Sequence, residues 1–396
     1  MEARGAEDIR RDEGLAVMRI VLTANYSPWS RYVGGGQRST HSLATALARR
    51  GHRVSVVYTR TPLERFPVPH SVEYRVRWAG FFGLRSRMEA PLRGLNVITV
   101  RSVVGRILEE EGADAVHGNG EEAALLPSLK RTHRFRLVIT PRYPRYPEAL
   151  LGHRGMLGVA VREPRYLLLG AAVRGADACC PTSRSAAGMV QAAYGPDPSR
   201  VRVIPNGVHE AYIARGHEWP GDGILFFGRL HESKGADTLL DALGILGAGA
   251  PTCTIVGRGE MEASLRRRAA GLGIADRVRF LPWKEPEALA DLLARSALAV
   301  LPSRSESFGN TVAEAMAVGV PVISTTAGSV PEVVEHGRSG WLVPPGSARE
   351  LAGAIRTLSS SPDLARSLGE AGRRRVLERF TWDAVASAFE EVYRGS

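Results

Sequence analysis

The chain runs to 396 residues, 44% of them hydrophobic, with a formal net charge of +11. This is apolar material for two domains of ordinary size, and no run approaches a membrane span, since the most apolar stretch, 166–180, is broken by Arg174 and Asp177. The charge is dispersed over arginines such as Arg31, Arg87, Arg136, Arg267 and Arg373 with no nucleic-acid motif, which excludes nucleic acid as the expected partner; it suits an anionic lipid surface or a phosphorylated substrate, or reflects arginine-rich composition alone.

Residues 1–17 are dense in charge with no apolar core behind them, and read as a disordered leader rather than a signal peptide. Cys179, Cys180 and Cys253 lack zinc spacing and point to a reduced, cytoplasmic setting. Residues 18–25 form a strand pattern, 26–38 a loop containing Gly34-Gly35-Gly36, 39–50 a helix ending at Gly51, and 52–59 a strand. Glycines before a helix let a pyrophosphate approach the backbone, although a merely flexible loop looks alike. Residues 62–94 are irregular; their aromatic and basic centre, Phe81–Arg87, suits a membrane surface or a simple excursion between strands.

A helix over 95–112 leads to a strand at 114–117, which leaves His117 and Asn119 at a strand carboxyl end. A histidine there contacts substrate or satisfies a backbone carbonyl. Strand 136–140 exits through Pro141-Arg142-Tyr143 and on to Pro147, a rigid, aromatic and cationic loop that suits gripping an acceptor or forms an inert polyproline turn. A helix at 165–175, a strand at 178–181, a helix at 183–194 and the segment 200–208, with a turn at Asn206-Gly207, close a first domain over 18–208.

Residues 209–222 read as a linker, after which the pattern restarts. Strands at 224–227, 252–256, 278–281, 297–301 and 321–324 alternate with helices at 236–246, 261–272, 286–295, 311–318, 331–336 and 349–358. The second domain, 223–380, is therefore a doubly wound parallel α/β sheet, and the first resembles one. An amphipathic helix at 383–393 needs a surface to cover, which either domain could supply.

The densest chemistry lies after the strand at 297–301. Glu306 sits in the loop, Glu314 near the start of the next helix, and the amides of Gly309 to Thr311 at its positive end. Carboxylates accept hydrogen bonds from vicinal hydroxyls, and amides hold a phosphate; a sugar nucleotide offers both groups. Arg229 and Lys234 leave a neighbouring strand end, placed to fork onto a diphosphate and to point at it, or to form a surface salt bridge to Glu232 or Asp237. Two cations there lower the barrier to departure of the diphosphate. Base recognition falls around Arg258 and Trp283-Lys284, and no Asp-x-Asp is placed as a metal-ligand pair.

The Gly34-Gly-Gly36 loop, Ile204-Pro-Asn-Gly-Val208, Gly228-Arg229 to Lys234-Gly235, Val256-Gly-Arg-Gly-Glu260, and Glu306-x7-Glu314 ending in Glu-Ala-Met-Ala-x-Gly-x-Pro-Val span nearly the whole length. With them the chain resembles the retaining glycosyltransferases of family 4, which have the GT-B fold of two Rossmann-like domains. The resemblance implies that Glu306 binds donor-sugar hydroxyls, Glu314 the ribose, and Arg229 and Lys234 the diphosphate. It implies that Gly35 and Gly36 close over the phosphates, and that Asn206, Gly228, Arg258, Phe308, Gly309, Asn310 and Thr311 complete the donor set. Arg229, Lys234, Glu306 and His117 become the catalytic set, Asn119, Arg142 and Tyr143 the acceptor set, with no metal or cofactor, and the final helix returns to the first domain.

Where many relatives carry His-x-His this chain has His117-Gly118-Asn119, and near Arg142 it lacks a further histidine; both positions face the acceptor. The expected activity is retaining transfer of a hexosyl group from a UDP- or GDP-sugar to an unidentified acceptor, lipid-linked or a polysaccharide or secondary-metabolite precursor, with peripheral membrane contact as one setting. The rivals are an epimerase or hydrolase on the same fold, or a basic membrane- or nucleic-acid-binding protein with a vestigial fold.

Overall fold

The structure, a computed structural model, describes residues 16–30, 35–60, 72–80, 95–142 and 164–395. Most of the expected leader, Gly34, Arg31, the Phe81–Arg87 segment and Tyr143 lie outside the described residues. Within them two six-stranded sheets form, every pairing parallel.

The first sheet contains β1 (Arg19–Ala24), β2 (Arg53–Arg60), β3 (Arg75–Gly80), β4 (Ala115–Gly118), β5 (Arg136–Ile139) and β6 (Ala178–Cys179), in the order β3-β2-β1-β4-β5-β6. The second contains β7 (Ile224–Phe227), β8 (Cys253–Val256), β9 (Val278–Leu281), β10 (Leu298–Leu301), β11 (Val322–Thr325) and β12 (Trp341–Val343), in the order β12-β11-β10-β7-β8-β9. Each sheet starts in its middle, winds outward, returns to the middle and winds the other way. The reversal falls between β1 and β4 in one domain and between β7 and β10 in the other, and doubly wound sheets bind ligands at such points. Strands β7, β10 and β11 are buried along their whole length, as parallel strands covered by helices on both faces must be.

Two strands and two α-helices, Glu210–Ala214 and Pro362–Arg379, escape the sequence pattern. Strand β3 is an edge strand of alternating charge, Arg75-Val-Arg77-Trp78, and reads as irregular for that reason; β12 is too short to show a period. Helix Pro362–Arg379 is rich in charge and carries Gly369 and Gly372, which sit where its backbone meets the carbonyls of Gly319 and Ser339. The first helix, Gly35–Arg49, starts four residues earlier than its apolar spacing suggests, so Gly35 and Gly36 belong to its first turn rather than to a loop.

The stretch 209–222 is not a free linker. It holds the short helix Glu210–Ala214, whose Tyr212 is buried with Leu289 and Val312 of the second domain. Arg373 ties it down, donating to the carbonyls of Ile213 (2.8 Å) and Arg215 (3.0 Å) and to that of Ala317 at the end of a helix. Arginines of this kind, Arg50, Arg304 and Arg375 among them, engage partners within the chain.

The chain enters the second domain at Val208 and leaves it at Thr381, and the two crossings are bonded, Val208 N donating to Phe380 O at 2.8 Å. Helix Trp382–Arg394 then starts at a Thr381 cap, whose Oγ1 accepts from Ala384 N at 3.2 Å. Its Val385, Phe389, Val392 and Tyr393 are buried with Ile20, Leu22, Leu43 and Leu47 in the first domain's core. Glu390 goes under with them, accepting from Arg50 Nε (2.6 Å) and from His52 Nε2 (2.9 Å). Met18 N donates to His52 Nδ1, so Nε2 is the protonated ring nitrogen. Among the described residues no helix is long and apolar enough to cross a membrane.

If the final helix is part of the first domain's core, Phe389→Ala should destabilise that domain by about 3–5 kcal/mol, the range for a buried aromatic truncation. Chemical unfolding measures the loss, and hydrogen exchange locates it: protection should fall in β1, β2 and β4. A loss confined to the helix itself would mean that it only lies on the surface.

Candidate active site

The loops that follow β7 and β10 lie against each other. Gly235 has φ +68°, and a Cβ there would stand 2.0 Å from Pro302 O, so only glycine lets the first loop close onto the second. Arg304 reinforces the contact, forking onto Asp237 with two bonds of 2.8 Å while its own amide donates to Ser233 O at 2.8 Å. Lys234 is thereby delivered to Glu306, Nζ to Oε1 at 2.5 Å, and Ser303 Oγ donates to the same oxygen at 2.8 Å. The alternative partners of Lys234 are accounted for otherwise, because Asp237 belongs to Arg304. Both members of the pair are largely enclosed, with side-chain exposures of 20% and 9%. Gly228 is buried, whereas Arg229 beside it is exposed, with no side-chain bond to other described residues.

Helix Asn310–Val318 begins at Gly309, which has no side chain to cap it, so its first amides are left for another acceptor. Glu314 is not beside those amides as expected: the helix starts at Asn310 and Glu314 falls in its second turn. Burial pushes its carboxyl up to about 7, and Glu306 adds to the rise, while Arg38 and Lys234 oppose it. Glu314 thus belongs to one electrostatic cluster with Glu306, Lys234 and Arg38. Phe308, expected among the donor contacts, is instead a core residue, packed edge-on against Phe380 at 5.6 Å between ring centres. Thr311 is partly exposed on the helix's first turn.

The first domain supplies a second helix start, that of Gly35–Arg49. Gly35 meets Asn310, whose Nδ2 stands 2.9 Å from where a Cβ on Gly35 would be. Two residues on from Gly36, Arg38 reaches the second domain: its guanidinium lies 5.2 Å from the Trp283 ring centre and its Nη2 is 3.4 Å from Glu285. It walls a cavity of about 430 Å³ with Arg258, Arg266, Phe280 and Trp283. Arg258 and Trp283 were expected there; Arg38 was not, because its role depends on residues 245 or more positions away.

The acceptor-side expectations divide. His117 is a correction: it is fully buried, with Nδ1 2.7 Å from Tyr393 Oη and Nε2 2.8 Å from Thr140 Oγ1. Burial, and then the charge of Arg142, push its pKa down to about 3, so it is a neutral core group with both nitrogens occupied and no face toward a substrate. Asn119 is held by four bonds rather than poised freely: its Nδ2 donates to Thr23 O (2.9 Å), its amide to Glu122 Oε1 (2.9 Å), and its Oδ1 accepts from both Nε and Nη2 of Arg142. Arg142 also donates Nη1 to Asn206 Oδ1 at 2.7 Å, and Asn206 Nδ2 donates to Asn310 Oδ1 at 3.0 Å. Asn206 therefore joins the domains. Glu122, unforeseen, is a buried carboxyl pushed up to about 7 by burial and then by Glu121.

Other bonds across the cleft had no sequence signal. Thr182 and Ser183 hydroxyls donate to Ser307 O at 3.1 and 2.8 Å, and Glu332 accepts from the amides of Arg184 and Ser185 at 2.8 and 2.9 Å, capping a first-domain helix from the second domain. No group of three or more His, Cys, Asp or Glu among the described residues is arranged to hold a metal ion.

Comparison with known proteins gives a consistent family. The profile described as Glycosyltransferase Family 4 matches residues 33–212, and that described as Glycosyl transferases group 1 matches residues 220–375. The chain is 28% identical over 403 residues to a D-inositol 3-phosphate glycosyltransferase of Segniliparus rotundus, covering 95% of this chain and 88% of the relative. It is 28% identical over 399 residues to a glycogen synthase of Mycobacterium tuberculosis, covering 95% and 94%. A D-inositol 3-phosphate glycosyltransferase of Jonesia denitrificans is 35% identical over 223 residues, which span 50% of this chain and about half, 52%, of that relative. Among solved structures, sucrose-phosphate synthase from Thermosynechococcus elongatus superposes with TM-score 0.77 at 24% identity, covering 96% and 98% of the two chains. Anabaena HepE in complex with UDP and glucose superposes with TM-score 0.73 at 20% identity, covering 96% and 100%.

The buried carboxyl of Glu122 generates a pH dependence. Its folded-state pKa of about 7 lies above the ordinary 4.5, so its contribution to stability is complete below about pH 4.5 and is lost as pH rises toward and through 7. Glu122→Gln cannot ionise and should not lose that contribution. The melting temperature of the variant relative to the parent should therefore climb between about pH 5 and 8. A difference that stays constant across this range would show that Glu122 titrates as it does in water.

Proposed function

The chain belongs to glycosyltransferase family 4, the glycosyl transferases group 1, on the two-domain GT-B fold, and is a sugar-transferring enzyme; on that premise we propose that it moves a hexosyl group from a UDP- or GDP-sugar to an acceptor hydroxyl with retention of anomeric configuration. The observation that carries this reading is the meeting of Lys234 with Glu306 at 2.5 Å beside two helix starts from opposite domains. Together these elements supply a cation, a hydroxyl-accepting carboxylate and a helix amino end without a side-chain cap, which is the combination a sugar diphosphate requires.

In this reading the roles follow from chemistry. Lys234, with Arg229, takes up the negative charge that grows on the departing diphosphate, and the amide ends of the helices starting at Gly35 and Asn310 share it. Glu306 and Glu314 accept bonds from hydroxyls, the first from the hexose and the second from the ribose. The cavity walled by Arg38, Arg258 and Trp283 takes the nucleoside. Both carboxylates are then committed to donor hydroxyls, so neither is free to attack the anomeric carbon from the opposite face. An acceptor entering on the leaving-group side, with a leaving phosphate oxygen taking its proton, gives retention without a covalent adduct. Its hydroxyl enters at the β1 and β4 strand ends, past Asn119 and Arg142. His117 takes no part.

A thermal-shift comparison of UDP, GDP and ADP identifies the base, since a ligand at a hundred times its Kd adds about 2.7 kcal/mol. Glu314→Ala should abolish that shift, and an undiminished shift would remove it from the ribose. With the donor identified, Lys234→Ala should lower kcat by about 10²–10³ with a smaller change in KM, and Lys234→Arg should restore only part of it. Equal rates in parent and alanine variant would overturn the role of Lys234. Proton NMR on product formed from an α-linked donor should show an α-linked first product; a β-linked one would overturn retention.

A further inference from the structure

Four side chains from four separate segments form one line across the cleft: Asn119, Arg142, Asn206 and Asn310. Arg142 Nε and Nη2 donate to Asn119 Oδ1 at 3.0 and 2.8 Å, its Nη1 donates to Asn206 Oδ1 at 2.7 Å, and Asn206 Nδ2 donates to Asn310 Oδ1 at 3.0 Å. A guanidinium can only donate, which determines the orientation of every amide in the line. Asn119 must turn its oxygen to Arg142, and its nitrogen is then taken by Thr23 O. Asn206 must do the same, which leaves its nitrogen facing the second domain. Asn310 must therefore present its oxygen to Asn206, and its Nδ2 is turned against Gly35.

The first-domain end of the line is rigid. Glu122 Oε1 accepts both the Asn119 amide at 2.9 Å and Thr23 Oγ1 at 3.0 Å, and all three residues are buried. The far end is the first residue of the uncapped helix, and its side chain touches the start of the facing helix. A single donor on the acceptor side thus sets the conformation of a residue between two amide clusters.

We propose that Arg142 and Asn206 are positioning residues: through Asn310 they hold the starts of helices Gly35–Arg49 and Asn310–Val318 in register, so that the two sets of amides converge on one diphosphate. This rests on the reading of those helix starts as the diphosphate site. Donor-side geometry is then assembled only when the first domain is docked, and it is assembled from the acceptor side. A planar fork is required, because one ammonium is a point charge and cannot meet Asn119 and Asn206 with three bonds of defined direction. Loss of the relay releases Asn310 without removing any group that the diphosphate itself would contact.

Hydrogen exchange on the full chain without ligand tests this, because the hydrogen bonds lead from Arg142 to Asn310 through Asn206. Arg142→Lys should raise exchange about tenfold in peptides spanning 309–314 and 35–40, with helix 236–246 of the same domain unchanged. From the other end, Asn310→Ala should raise exchange at 35–40, and Asn310→Asp, which still offers an oxygen to Asn206, should restore most of it. UDP as the probe should bind Arg142→Lys about tenfold more weakly than the parent. An effect confined to 119–142, or one spread equally through both domains, would overturn the relay. Failure of UDP, GDP and ADP alike to bind the parent would instead overturn the reading of the site, while the exchange result would still report on the line of bonds.

Discussion

The chain passes between the two domains twice at one place, and the cleft depends on that constraint. Val208 and Thr381 lie side by side, Val208 N donating to Phe380 O, and each crossing is anchored beyond it. Tyr212 is buried in the second domain just after the first crossing, and Phe389 in the first domain just after the second. Bonded crossings hold the two domains together at that point. The facing strand ends are presented to each other for the same reason, and bonds such as those from Thr182 and Ser183 to Ser307 O become available.

Electrostatics in the cleft follow from the parallel sheets. A doubly wound sheet gathers the strand carboxyl ends and the helix amino ends on one edge, so two such edges facing each other concentrate positive backbone dipoles. Glu332 satisfies one of these helix starts, that of Arg184–Tyr194. The start at Asn310 has Gly309 where a capping oxygen would be useful for stability. Leaving amides uncapped, enclosing Lys234 with Glu306, and burying Glu314 until its pKa reaches about 7 all cost folding free energy. Their coincidence at one point is the pattern of a site shaped by binding rather than by stability.

The net charge of +11 has a partly internal explanation. Arg373 serves three backbone carbonyls, Arg304 locks two loops together, Arg50 accompanies the buried Glu390, and Arg142 joins the domains. A guanidinium has five donors in fixed directions, so an arginine-rich chain can tie carbonyls and amides together where a lysine would offer a point charge. Lys234 meets a single carboxylate oxygen, that of Glu306.

What the sequence determined by itself is whatever depends on short-range periodicity and local backbone geometry. The strands and helices of the second domain other than β12 and helix Pro362–Arg379, the glycine turn that delivers Lys234, and the placing of Glu306 just before the helix at Asn310 all follow from residues a few positions apart, because burial and turn conformation impose their patterns locally. Only the tertiary structure decided which polar groups are occupied. His117 looks like a substrate contact at a strand end until Tyr393, 276 residues later, covers it; Arg38 walls a cavity with Arg258 only because Trp283 is docked against it; Asn206 passes for a turn residue until Arg142 and Asn310 arrive from either side. Hydrogen bonds of this kind are directional and short in range, and their partners are brought together by the packing of whole domains, which leaves no trace in the spacing of neighbouring residues.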